Sequence, residues 1–112
     1  MKLVIIILNK IECLEKILES FKLQNIPGAT IIDSKGMIQE LNDNSEDYRI
    51  IGSLRELFTP SHTENKTIIM AARDEDVKKI SAIVNEATGG LDNPDTGVLF
   101  TLPIDYMEGL KH

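Results

Sequence analysis

Residues Lys2–Leu8 read KLVIIIL, apolar at six successive positions and rich in β-branched side chains. A run of this kind marks a strand buried on both faces. It has to sit inside a sheet with cover above and below, and this demand dominates a chain of 112 residues. A chain of that length is expected to form a single domain, residues 1–112, and to bury roughly two-thirds of its unfolded surface. The run is far too short to span a bilayer and lacks the length and cleavage site of a secretory signal. A cytoplasmic protein without membrane insertion is therefore expected.

The rest of the chain supplies the partners this strand needs. Ile11, Leu14, Ile17, Leu18 and Phe21 recur at helical spacing from Lys10 to about Leu23, with Glu15, Lys16 and Glu19 on the other side. Asn9 and Glu12 have the spacing of a capping box at its start. After the Pro27–Gly28 turn, Ala29–Ser34 (ATIIDS) reads as a second strand, with Gln39 as its outer limit. Lys66–Ala72 (KTIIMAA) reads as a third. Asp74 is the expected N-cap of a second helix carrying Val77, Ile80, Ile83, Val84 and Ala87 on one face, ended by Gly89–Gly90. Val98–Leu102 is a fourth strand, stopped by Pro103.

The order is β-α-β-β-α-β, which predicts an α+β, ferredoxin-like sandwich. Such a fold has a four-stranded antiparallel sheet with two helices on one face. The second face is left bare, and in a chain this apolar it calls for association between copies.

Between the second and third strands lies an insertion, residues 37–65, far longer than ordinary connections. It opens with the acidic patch Glu40–Asp47 (ELNDNSED), too polar to bury itself and expected to be flexible in the free protein. It continues with an apolar stripe, Ile50, Ile51, Leu54, Leu57 and Phe58, where Ser53 and Glu56 have capping-box spacing for a short helix. The stripe either packs permanently against the sheet or an oligomer centre, or is presented to a partner.

Charge narrows the function classes. The net charge of −6 argues against nucleic acid and anionic membrane surfaces, which demand a surplus of Lys and Arg. Cys13 is the sole cysteine, which excludes an internal disulfide and fits a reducing compartment. It sits near a helix start but has no neighbouring histidine to act as base, so it reads as a small packing residue. No paired carboxylates or nucleophile–base set stand out, and the chain does not read as an enzyme. His62 with Glu64, and the Asx-rich Asp92, Asn93 and Asp95, are the metal-ligand candidates; a solvated loop and a plain turn are the simpler readings.

Two stretches carry a family resemblance. Gly28–Gly36 (GATIIDSKG), and Thr88–Gly89 followed by Gly97 and Leu99–Pro103 (LFTLP), resemble the second strand, T-loop start, B-loop and last strand of the P-II nitrogen-regulatory signalling family. The resemblance covers nearly the whole chain in element order. It implies a homotrimer with sheets facing inward and three intersubunit clefts. In the family each cleft takes an adenine nucleotide, and the T-loop engages a regulated enzyme or transporter in nitrogen or related metabolism. Carried over residue by residue, the ligand would meet Thr30, Lys35, Gly36, Met37, Thr88, Gly89, Gly90, Gly97 and Val98 (B-loop-like segment 88–98). A partner would meet Tyr48, Ile50, Ile51, Leu54, Leu57 and Phe58.

Departures from the family pattern bear on the ligand. The family places cations in its B-loop and a Gly-Lys before the last strand; here Gly90 and Val98 occupy those places, joined by Asp92 and Asp95. No lysine or arginine lies between Lys79 and Lys111. The family's Lys-Gly-Phe-Gly-Arg-Gln becomes Lys35-Gly36-Met37-Ile38-Gln39-Glu40, and beyond Tyr106 only Lys111 and His112 are basic. A polyphosphate placed there without cations would be repelled. The amides of Gly89, Gly90 and Gly97 are the remaining means of holding an anion. A non-sensing trimeric platform, and a divalent-cation trimer of the kind that shares this fold, are the alternatives. The arginine-bearing phosphate loop of acylphosphatases is absent, as Asn9-Lys10-Ile11-Glu12 stands in its place.

Overall fold

The computed structural model describes residues 1–44 and 64–109. Its strands are β1 (Lys2–Leu8), β2 (Thr30–Ser34), β3 (Asn65–Ala72) and β4 (Gly97–Pro103), and its helices are α1 (Leu14–Leu23), α2 (Met37–Asn44) and α3 (Val77–Thr88). The strands form one antiparallel sheet in the order β2-β3-β1-β4. This α+β arrangement is compatible with a ferredoxin-like fold. The apolar run Lys2–Leu8 takes a central position, between β3 and β4, as its composition demands.

Strand alternation divides β1 cleanly. Val4, Ile6 and Leu8 are fully buried and point to one face. They meet Ile17 and Phe21 of α1, Ile68, Met70 and Ala72 of β3, and Ile80, Ile83 and Val84 of α3. Both α1 and α3 therefore cover the same face. Leu3, Ile5 and Ile7 point to the other face and are only half-buried. There Ile5 stands between Ile69 of β3 and Phe100 of β4, Leu3 between Ala71 and Leu102, and Ile7 between Thr67 and Val98. Val98, Phe100, Leu102 and Ile32 remain 41%, 44%, 50% and 42% exposed. The open face is thus an apolar slab running across the sheet.

Several local expectations need correction. Strand β2 stops at Ser34 rather than running toward Gln39, and Met37–Asn44 is helical. The first half of the acidic patch, expected to be flexible, belongs to that helix. The Glu40 amide donates to the Gly36 carbonyl at 2.9 Å and the Glu40 carboxylate lies 3.5 Å from Lys35 Nζ, which together close its first turn. Lys10, not Asn9, is the N-cap of the 3-10 turn Ile11–Cys13 that leads into α1, and it makes no side-chain cap. The Asn9 amide is taken instead by the Thr96 carbonyl, 3.0 Å away. Asp74 likewise does not cap α3. It starts a 3-10 turn and pairs with the Met1 amine at 3.2 Å, while Asp76 becomes the N-cap of the α-helix, again without a side-chain cap. No helix among the described residues is long and apolar enough to cross a membrane.

Candidate functional site

The Gly-rich segment 88–98 follows directly from the end of α3. Gly89 is the C-cap in the left-handed region at φ 86°, and its amide donates to the Asn85 carbonyl at 3.0 Å. A glycine there is expected, because a Cβ would be strained at that angle. The Thr88 hydroxyl is buried; it donates to the Val84 carbonyl at 2.8 Å and accepts the Gly90 amide at 3.3 Å. The Leu91 amide donates to Asn85 Oδ1 at 2.8 Å, and the Asn93 amide to the Gly90 carbonyl at 3.1 Å. Asn93 Nδ2 returns to the Gly89 carbonyl at 2.9 Å.

The loop that looks like an anion cradle in sequence therefore spends its first amides on itself. Gly89, Gly90, Leu91 and Asn93 all donate within the chain. A ligand on these amides would have to displace native bonds. Gly97, at the far end, is held against the backbone of β1: a Cβ built on it would lie 2.6 Å from the Ile7 carbonyl oxygen. Its role here is close packing of two strands.

One cation reaches the segment from a place that local reading cannot anticipate. Lys10 Nζ donates to the Thr88 carbonyl at 3.1 Å, across 78 residues of sequence. It sits at the C-terminal end of α3, where the helix dipole favours positive charge. The Thr96 carbonyl accepts both the Asn9 and Lys10 amides, at 3.0 and 3.1 Å. The β1–α1 turn and the Gly-rich loop are clasped together by these bonds.

The second predicted cluster lies at the other edge of the sheet. Thr30 stands on the open face opposite Ile69. Ser34 Oγ lies 2.8 Å from Thr67 Oγ1 and also bonds the Asn65 side chain. Lys35, Gly36 and Met37 form the joint between β2 and α2, with Met37 73% exposed. Next to them Lys66 Nζ lies 2.6 Å from Asp33 Oδ1, and that hydrogen bond raises the Lys66 pKa above the ordinary lysine value. Ser34 and Gly97 mark the same end of the sheet, but β3 and β1 stand between their strands. At about 4.8 Å per strand the two clusters are roughly 14 Å apart within one protomer.

The predicted partner residues Tyr48, Ile50, Ile51, Leu54, Leu57 and Phe58 lie outside the described residues, as do His62, Lys111 and His112. Among the described residues no three His, Cys, Asp or Glu side chains converge as a metal site. Two grooves lie among the described residues. One of about 390 Å³ is lined by Leu18, Phe21, Lys22, Ile26, Pro27 and neighbours, at the α1–β2 turn, and includes none of the predicted ligand residues. Cys13 is buried in the core.

No known family model matches the chain, and no curated protein matches it.

Proposed function

We propose that this chain is the protomer of a P-II-like, trimeric regulatory protein, acting by binding rather than by catalysis. The observation that carries the reading is the apolar slab of Leu3, Ile5, Ile7, Ile69, Val98, Phe100 and Leu102, on the face that neither α1 nor α3 covers. Apolar area of that extent is usually a contact surface. Three copies placing their slabs inward create three clefts, each near the Gly-rich loop or the β2–α2 joint of a protomer. The long connection between β2 and β3 leaves the sheet beside those clefts and engages the regulated enzyme or transporter, in nitrogen or related metabolism. The effector is an adenine nucleotide or another small molecule. It makes its contacts through Thr30, Lys35, Gly36 and Met37 on one side, and the 88–98 segment on the other.

Light scattering tests the assembly: particles built from sets of three copies are expected, three or, with a further join between trimers, six, and a stable monomer removes the basis of the proposal. Calorimetry with ATP, ADP, AMP and cyclic nucleotides, with and without Mg²⁺, tests the ligand. Heat with any of them supports a sensor.

A second reading, a trimeric platform without an effector, is favoured by the internal bonding of the Gly-rich amides. It predicts a trimer that gives no heat and no thermal shift with any of these nucleotides.

A further inference from the structure

Among the described residues no strand lies beside the outer edge of β4. Two bonds fix which of its backbone groups face outward. The Asn9 amide donates to the Thr96 carbonyl at one end of the β1–β4 ladder, and the Ile104 amide donates to the Met1 carbonyl at the other. With the observed register, Val98, Phe100 and Leu102 turn their N–H and C=O groups toward β1. Gly97, Leu99 and Thr101 turn theirs outward, together with the carbonyl of Pro103.

Exposed edges are ordinarily guarded by charge, by short length or by an interrupting proline. The β2 edge is guarded: it has 5 residues and carries Asp33, ion-paired with Lys66. The β4 edge is not. It has 7 residues, GVLFTLP, none of them charged, and its proline closes the strand instead of interrupting it.

We infer that β4 pairs antiparallel with β4 of a second copy, about a two-fold axis at Phe100. That axis is the one that pairs all of Gly97–Pro103. Leu99 and the second copy's Thr101 exchange both of their outward bonds, and the reverse pair does the same. On the open face Phe100 meets Phe100 of the second copy, and Val98 meets its Leu102. Every side chain on that face of the pair finds an apolar mate. The join needs no charged group, which suits two copies that each carry a net charge of −6. It uses the backbone edge of β4, whereas the proposed trimer uses the face of the sheet, so the two are separable.

Phe100 and its mate form a non-hydrogen-bonded pair, with Cα atoms about 4.5 Å apart, inside the range a disulfide bridges. In a Cys13→Ala background, Phe100→Cys is expected to give a covalent dimer on mild oxidation. Val98→Cys, displaced from its own copy by the register, is expected to remain uncrosslinked at the same oxidant dose. Thr101→Pro removes an outward N–H without touching the β1 ladder. It is expected to keep the circular dichroism of the folded chain and halve the particle mass in light scattering, while Thr101→Val leaves the mass unchanged. Wild-type particles of six copies support both joins, and of two copies the β4 join alone. Particles of three copies, with no Phe100→Cys crosslink, overturn the β4 join and leave the trimer standing. Equal crosslinking at both positions also overturns it.

Discussion

The open face gives the sharpest test, and Ile5 is the place to apply it. Ile5 lies at the centre of the slab, between Ile69 and Phe100, with its side chain turned away from the helix-covered core. Around it Val98, Phe100, Leu102 and Ile32 have between two-fifths and half of their surface left to bury. Full burial of such side chains is worth ~1.5–3 kcal/mol each, so covering these four contributes about 3–5 kcal/mol per protomer. Ile5→Glu puts a carboxylate in the middle of that contact. Desolvating it costs several kcal/mol, enough to cancel the gain. The concentration at which the assembly dissociates should rise by roughly 100-fold or more, since each ~1.4 kcal/mol is tenfold. The protomer itself should keep its fold, because the core of Val4, Ile6 and Leu8 is on the opposite side. Light scattering across a dilution series, with circular dichroism as the check on folding, reads both. A folded Ile5→Glu protein with the wild-type mass would refute the reasoning, as would a wild-type protein that is monomeric at every concentration.

Three further outcomes follow from local geometry. Gly97→Ala drives a Cβ to 2.6 Å from the Ile7 carbonyl oxygen at a φ of 152° and should destabilise the fold by about 2–4 kcal/mol in urea unfolding. Thr88→Val leaves the Gly90 amide without its hydroxyl acceptor and removes a buried bond to Val84, costing about 1–2 kcal/mol by the same measurement. Lys66, held above the ordinary lysine pKa by its bond to Asp33, stabilises the fold while it stays protonated. That contribution is fully present below the unfolded-state value of 10.5 and is lost as pH climbs through the higher folded value. Asp33→Asn should therefore flatten the stability–pH curve above about pH 10.5, and leave its shape near neutrality unchanged.

Much of the architecture was legible because it rests on side-chain periodicity. The run KLVIIIL and the spacing of Ile80, Ile83 and Val84 announce where they will be buried, whatever the rest of the chain does. The helix starts were not legible, because the groups that decide them come from afar. The Asn9 amide looks free to enter a capping box until the Thr96 carbonyl arrives beside it. Asp74 looks like a cap until the Met1 amine takes its carboxylate. Helix α2 was hidden by its own composition: Met37, Ile38 and Leu41 form too short a stripe to stand out in an acidic stretch. Lys10 is the instructive omission at the candidate site. By sequence distance no cation lies near the Gly-rich loop, yet the Lys10 ammonium lies 3.1 Å from its first carbonyl.

The same loop shows why backbone shape and binding capacity separate. Glycines at positive φ are needed both to expose amides to an anion and to fold a chain back over a helix end. The Thr88–Asn93 stretch uses them for the second purpose. For a phosphate to occupy it, the Gly90 and Leu91 amides must leave Thr88 Oγ1 and Asn85 Oδ1. Each such bond is worth about 0.5–1.5 kcal/mol net, so opening the pair costs roughly 1–3 kcal/mol before any contact is gained. That is a penalty of about 5- to 150-fold on the dissociation constant. Asn85→Ala and Thr88→Val would release those amides and lift the penalty. If a nucleotide binds through this loop, the double variant should bind it more tightly than the wild type in calorimetry, even as its melting temperature falls. Weaker binding by the double variant, at a temperature where it is fully folded, would mean that a nucleotide uses the loop in its closed form.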